Sequence, residues 1–194
     1  MPQISPQQPP RKVVLFSGHM IDAPGRKTPR FPPDKVPVAA RAIAESLAAL
    51  GLGAGDLAIC GAACGGDLLF AAAALDRGAR LELYIPFEEP DFLETSVDFA
   101  DSDWRARYHA AKAAGELHIA PRELGPLPEG EDAYARNNRW MLDRALRFGA
   151  EKVDFVCLWN GQGGDGPGGT QDMMEAVRRR GGRTHWLDTT TLWG

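Results

Sequence analysis

The chain is poor in the features that mark several protein classes. It has three cysteines, Cys60, Cys64 and Cys157, too few and too oddly numbered for a disulfide scaffold, so reduced thiols and a cytoplasmic location are expected. Cys60 and Cys64 have no second Cys or His pair at zinc-site spacing. The four histidines are scattered and no carboxylate cluster in the sequence has ligand spacing, so neither a metal nor another cofactor is expected. No apolar run approaches the roughly 20 residues that span a bilayer, which argues against a membrane partner. Basic residues are not in excess: the formal net charge is −4, against binding of extended nucleic acid, which relies on a basic surface.

What is present fits a globular domain, with 44% hydrophobic and 25% charged residues. Residues 1–11 are Pro/Gln-rich and read as a disordered leader; residues 12–194 read as one domain. Strand and helix patterns alternate through it. Val13–Phe16, Leu57–Cys60, Leu81–Ile85, Leu117–Ile119, Val153–Trp159 and Thr184–Leu187 read as strands. Helical spacing covers Val36–Leu50, Leu68–Arg77, one or two segments within Glu88–Ala114, then Asp132–Phe148 and Thr170–Arg180. This order predicts an α/β fold, a Rossmann-like three-layer sandwich with a mostly parallel sheet. Ile21–Pro33, with four prolines and a glycine, must be loop, and a loop that long is often functional.

Three polar or glycine-bearing loops leave strands, and ligands of such sheets bind at the strands' carboxyl ends. The first is Ser17-Gly18-His19-Met20. The second is Gly61-Ala62-Ala63-Cys64-Gly65-Gly66-Asp67. The third, Asn160 to Thr170, holds six glycines in eleven residues. Glycine lets backbone N–H groups approach a ligand without an intervening Cβ, and a loop that opens a helix favours an anion. Gly168-Gly169-Thr170 suits a phosphate, with Thr170 as N-cap or hydroxyl donor. Asp67 and Asp165 are candidates for sugar hydroxyls. Arg26, Arg30, Arg136 and Arg139 could each clamp a phosphate. Arg136-Asn137-Asn138-Arg139 places two poor helix formers inside a helix, which suggests polar contact with a ligand or another loop.

Cys60-Gly61-Ala62-Ala63-Cys64-Gly65-Gly66-Asp67 resembles the small-G-x-A-x-G-x-D motif of DprA proteins. Pro167-Gly168-Gly169-Thr170 resembles the P-G-G-x-G-T loop of LOG-type phosphoribohydrolases. Both groups belong to the SLOG superfamily of Rossmann-like nucleotide binders, and the resemblance runs from Val13 to Leu187. It implies a nucleotide or nucleoside phosphate as ligand, its phosphate on Gly168-Gly169-Thr170, and a homo-oligomer. Some members hydrolyse an N-glycosidic bond; others bind or sense. The hydrolases carry a glutamate three residues after the threonine, where this chain has Met173, and its loop is one residue shorter. The expected function is therefore ligand binding in a sensing role. The alternative is a nucleoside 5'-monophosphate N-glycosidase with Asp172 or Glu175 as the catalytic carboxylate.

Overall fold

The computed structural model describes residues 8–100, 102–162 and 169–193. Six parallel strands form one sheet: β1 (Val13–Gly18), β2 (Leu57–Cys60), β3 (Arg80–Ile85), β4 (Glu116–Ile119), β5 (Val153–Trp159) and β6 (Arg183–Asp188), in the order β4-β3-β2-β1-β5-β6. The expected α/β sandwich is the observed one.

The apolar strands explain the layers. Val13 and Leu15 enter one core with Phe155, Cys157 and Met141, while Val14 and Phe16 enter the other with Ile43, Phe70 and Leu83. All four residues of Val13–Phe16 are buried, as expected of a parallel strand covered on both faces. The first face is covered by α6 (Ala133–Leu146) and α7 (Thr170–Arg179). The second is covered by α1 (Val36–Ala49), α2 (Gly66–Asp76), α3 (Glu89–Ser96) and α4 (Ser102–Ala114). Two further α-helices are short, α5 (Ala120–Glu123) and α8 (Thr189–Leu192). Among the described residues, no helix is long and apolar enough to cross a membrane.

The elements depart from expectation mainly at their ends. β1 runs on through Ser17 and Gly18 because both continue the pairing with Cys157 and Leu158 of β5. α2 begins at Gly66, two residues earlier than the apolar pattern suggested. Of the expected leader, residues 1–7 lie outside the described residues; Arg11 donates to the Asp56 carboxylate and to the carbonyl of Ala54.

Gly65 fixes how the first two loops meet. Its φ is +102°, and it forms an isolated antiparallel bridge with Met20. Ile21 N–H donates to the Cys64 carbonyl at 3.2 Å and Gly66 N–H to the His19 carbonyl at 3.0 Å. A Cβ on Gly65 would stand 2.6 Å from Ile21 N and 2.8 Å from His19 O, so glycine is required for the approach.

Candidate functional site

The chain leaves β1 toward β2 on one side and returns as β5 on the other. Connections therefore diverge at the carboxyl ends of β1 and β5, the place where open parallel sheets hold ligands. A cleft of about 510 Å³ opens there. It draws residues from all three expected loops and from the starts of α6 and α7.

One end is suited to an anion. Gly169 caps α7 and Thr170 is its first residue, so Thr170 is not the N-cap; among the described residues no side chain caps this helix. The free N–H groups and dipole of the helix start attract negative charge. Ser17 Oγ and Thr170 Oγ1 lie 3.1 Å apart and join the end of β1 to α7. Arg26 and Arg30 also line the cleft. The loop carrying them folds around its own acid: Asp22 accepts from the backbone N–H of Arg30 at 2.9 Å and of Phe31 at 2.9 Å, and pairs with Arg26 at 3.4 Å. His19 sits between these parts. Burial, with the Arg30 charge second, pushes its pKa down to about 4. Its Nε2 accepts from Asn160 N–H at 3.1 Å, so the neutral ring carries its proton on Nδ1.

The opposite end is built for uncharged polar groups. Burial pushes the Asp67 carboxyl up to about 7, opposed only by a 3.4 Å hydrogen bond from Ala63 N–H. A Cβ on Gly61 would strike the Asp67 carboxylate, so glycine there makes room for it. Asn137, 4% exposed, donates from Nδ2 to the Tyr84 carbonyl at 2.9 Å, while its Oδ1 has no partner among the described residues. A buried orphan acceptor costs about 1–3 kcal/mol and calls for an explanation. Asn138, Tyr134 and Thr95 also line this end, and the Tyr134 hydroxyl lies 3.1 Å from Ser96 Oγ.

Ser17, Gly18, His19, Gly61, Asp67, Asn137, Gly169 and Thr170 thus meet in one cleft. Arg26, Arg30 and Asn138 join them, and several other residues singled out in the sequence do not. Gly65 and Gly66 serve the junction between loops. Arg136 donates to the carbonyls of Leu124, Gly125 and Pro126, and Arg139 pairs with Glu131. Asp172 and Glu175 are on the exposed side of α7, because Met173, Met174 and Val177 face the core. Glu175 accepts from Gln171 at 3.1 Å and pairs with Arg179 at 3.6 Å. Asp165 and Gly168 lie outside the described residues.

Thr95 and Tyr134 were not marked from the sequence. Their local surroundings give no signal, since they reach the cleft from α3 and α6, far apart in the chain. Among the described residues, one group has metal-ligand spacing: Glu82, Glu116 and His118, whose ligand atoms lie within 4.8 Å of one another. Parallel register creates it by setting Glu82 beside Glu116 and Tyr84 beside His118. Glu82 is already bound by Arg144 at 2.6 and 2.9 Å and by the Tyr84 hydroxyl at 2.9 Å, which makes it a poor metal ligand.

No family model matches the sequence. No curated protein matches it either. Among solved structures, the chain is similar to the X-ray structure of DNA processing protein A (DprA) from Streptococcus pneumoniae, at 13% identity and a TM-score of 0.39. The match covers 94% of this chain but 60% of that one. The Rossmann-like description rests on the parallel sheet and its strand order, not on this likeness.

Proposed function

We propose that the cleft binds a nucleotide or nucleoside phosphate and that the domain senses this ligand. The observation that carries the reading is the division of one cleft into two chemically different ends. Ser17, Thr170, the start of α7, Arg26 and Arg30 suit a phosphate. Asp67 and the unpartnered Oδ1 of Asn137 suit the hydroxyl and N–H groups of a sugar or base. The glycine-loop resemblance to SLOG nucleotide binders points the same way.

The test is a panel of nucleoside mono-, di- and cyclic phosphates, read by thermal shift and by chromatography for released base. At a hundredfold excess over Kd, a true ligand stabilises by about 2.7 kcal/mol, or roughly 5–10 °C for a domain of this size. Such a shift without released base is the expected result. No shift across the panel would overturn the reading.

Asp67 supports a second reading, hydrolysis of an N-glycosidic bond. A carboxyl that titrates near neutrality inside the cleft can protonate a departing base while water attacks the anomeric carbon. In that reading Asp67 takes the role that the sequence assigned to Asp172 or Glu175. Release of base by the wild type, lost in Asp67→Asn, would favour it.

A further inference from the structure

The loop that carries Arg26 and Arg30 is exposed from Ala23 to Pro29, yet it is gripped firmly just beyond. The Trp193 ring stacks on buried Phe31, with centroids 5.4 Å apart and planes 25° from parallel. Trp193 Nε1–H donates to the carbonyl of Arg30 at 3.1 Å. The Trp193 carbonyl in turn accepts from Lys35 Nζ at 3.3 Å. One residue, 163 positions away from Arg30 in the chain, thus holds the loop at two points and is itself held by Lys35 just after it. The backbone N–H of Arg30 is bound by Asp22, so both peptide groups flanking its Cα are fixed, while the residue lines the cleft and its charge acts on His19.

We propose that Trp193 is a positioning residue that holds Arg30, and with it the Arg26–Arg30 segment, over the anion end of the cleft. Trp193 is not among the residues that line the cleft, so it acts through Arg30. An arginine on a free thirteen-residue loop would lose its freedom when ligand bound. One whose backbone is already fixed loses less, and preorganisation of this kind appears as affinity. Segment α8, which ends beside Trp193, becomes part of the binding apparatus without touching ligand. The effect on affinity rests on the reading of the cleft as a phosphate site; the hold on the loop does not.

The loop contains trypsin sites after Arg26, Lys27 and Arg30, which allows a test without ligand. The wild-type chain, Trp193→Ala and Trp193→Phe are digested briefly with trypsin, and cleavage in the loop is compared with cleavage after Arg147 and Lys152. Trp193→Ala should raise loop cleavage relative to those sites about tenfold, the size expected from losing one ring stack and one hydrogen bond. Trp193→Phe keeps the ring but not the donor and should fall between. Calorimetry with adenosine 5'-monophosphate and with adenosine follows. Trp193→Ala should weaken the monophosphate by about tenfold and leave adenosine unchanged.

Loop cleavage that stays at the wild-type rate would overturn the proposal. So would cleavage that rises equally at every site, since that is general destabilisation. If the wild type binds the monophosphate and Trp193→Ala binds it equally well, the positioning role fails while the phosphate site stands. If the wild type binds neither probe, the nucleotide reading fails for this base, and the protease pattern alone decides the hold on the loop.

Discussion

Replacing Asp67 by Asn should make the protein more stable at pH 8. The folded carboxyl titrates at about 7 instead of 3.8 because burial disfavours its charge. The folded protein then binds more protons than the unfolded chain between those two values, so Asp67 removes stability as pH rises through that window. The shift is about 3 units, or about 4 kcal/mol at 1.36 kcal/mol per unit. Asp67 keeps partial exposure in the cleft, which reduces this to about 2–4 kcal/mol, of which about 2 kcal/mol develops between pH 5 and pH 8. Asparagine keeps an acceptor for Ala63 N–H and never ionises.

His19 works in the opposite direction. Its folded value is about 4, below the ordinary 6.5, so the folded state binds fewer protons and gains stability as pH rises between them. In the wild type these two contributions largely offset each other. The difference between Asp67→Asn and wild type removes the His19 contribution. Urea unfolding at pH 5 and pH 8 measures it directly. A variant no more stable than wild type at pH 8, or a gain independent of pH, would refute the claim that the carboxylate is desolvated. Stabilisation on removing a native side chain is what a residue kept for function shows.

Gly65→Ala should cost about 2–3 kcal/mol, since its new Cβ meets two backbone atoms in addition to the unfavourable φ. Gly181→Ala, at φ +87° with open space around its Cβ, should cost about 1 kcal/mol; thermal melts of the pair separate contact from conformation. Arg144→Ala leaves buried Glu82 with the Tyr84 hydroxyl as its remaining hydrogen-bond donor among the described residues and should lose about 2–3 kcal/mol in urea unfolding. Glu82→Gln in the same chain should restore part of that loss.

Much of the sheet was legible because the strands are short apolar runs followed by glycine or proline, and burial on both faces demands that pattern. The cleft was legible where it consists of strand ends: Ser17, Gly18, Gly61 and Thr170 occupy positions that a parallel sheet brings together by construction. Side chains that reach the cleft from elsewhere were less so. Arg26, Arg30, Arg136 and Arg139 look alike in sequence. Asp22 and Trp193 send the first pair to the cleft, whereas the carbonyls after α5 and Glu131 take the second. Asn137 was marked as a poor helix former, and its reason is the carbonyl at the end of β3.

Asp172 and Glu175 stand on the exposed side of α7, outside the cleft lining. Met173, Met174 and Val177 already define the buried stripe of α7, and residues at 172 and 175 point away from it. The Glu82, Glu116 and His118 group could not be found from spacing, since only strand register brings it together.

The place of β1 in the sheet has a consequence for how the chain is made. Val13 pairs with Leu57 on one side and with Val153 on the other. During synthesis, β1 to β4 can associate once Ile119 has emerged, but the second edge of β1 has no partner until Trp159 follows. At 5–20 residues per second that interval lasts about 2–8 s. Throughout it, a strand whose first four residues are all apolar presents an open edge, the kind of surface that recruits other strands or a chaperone.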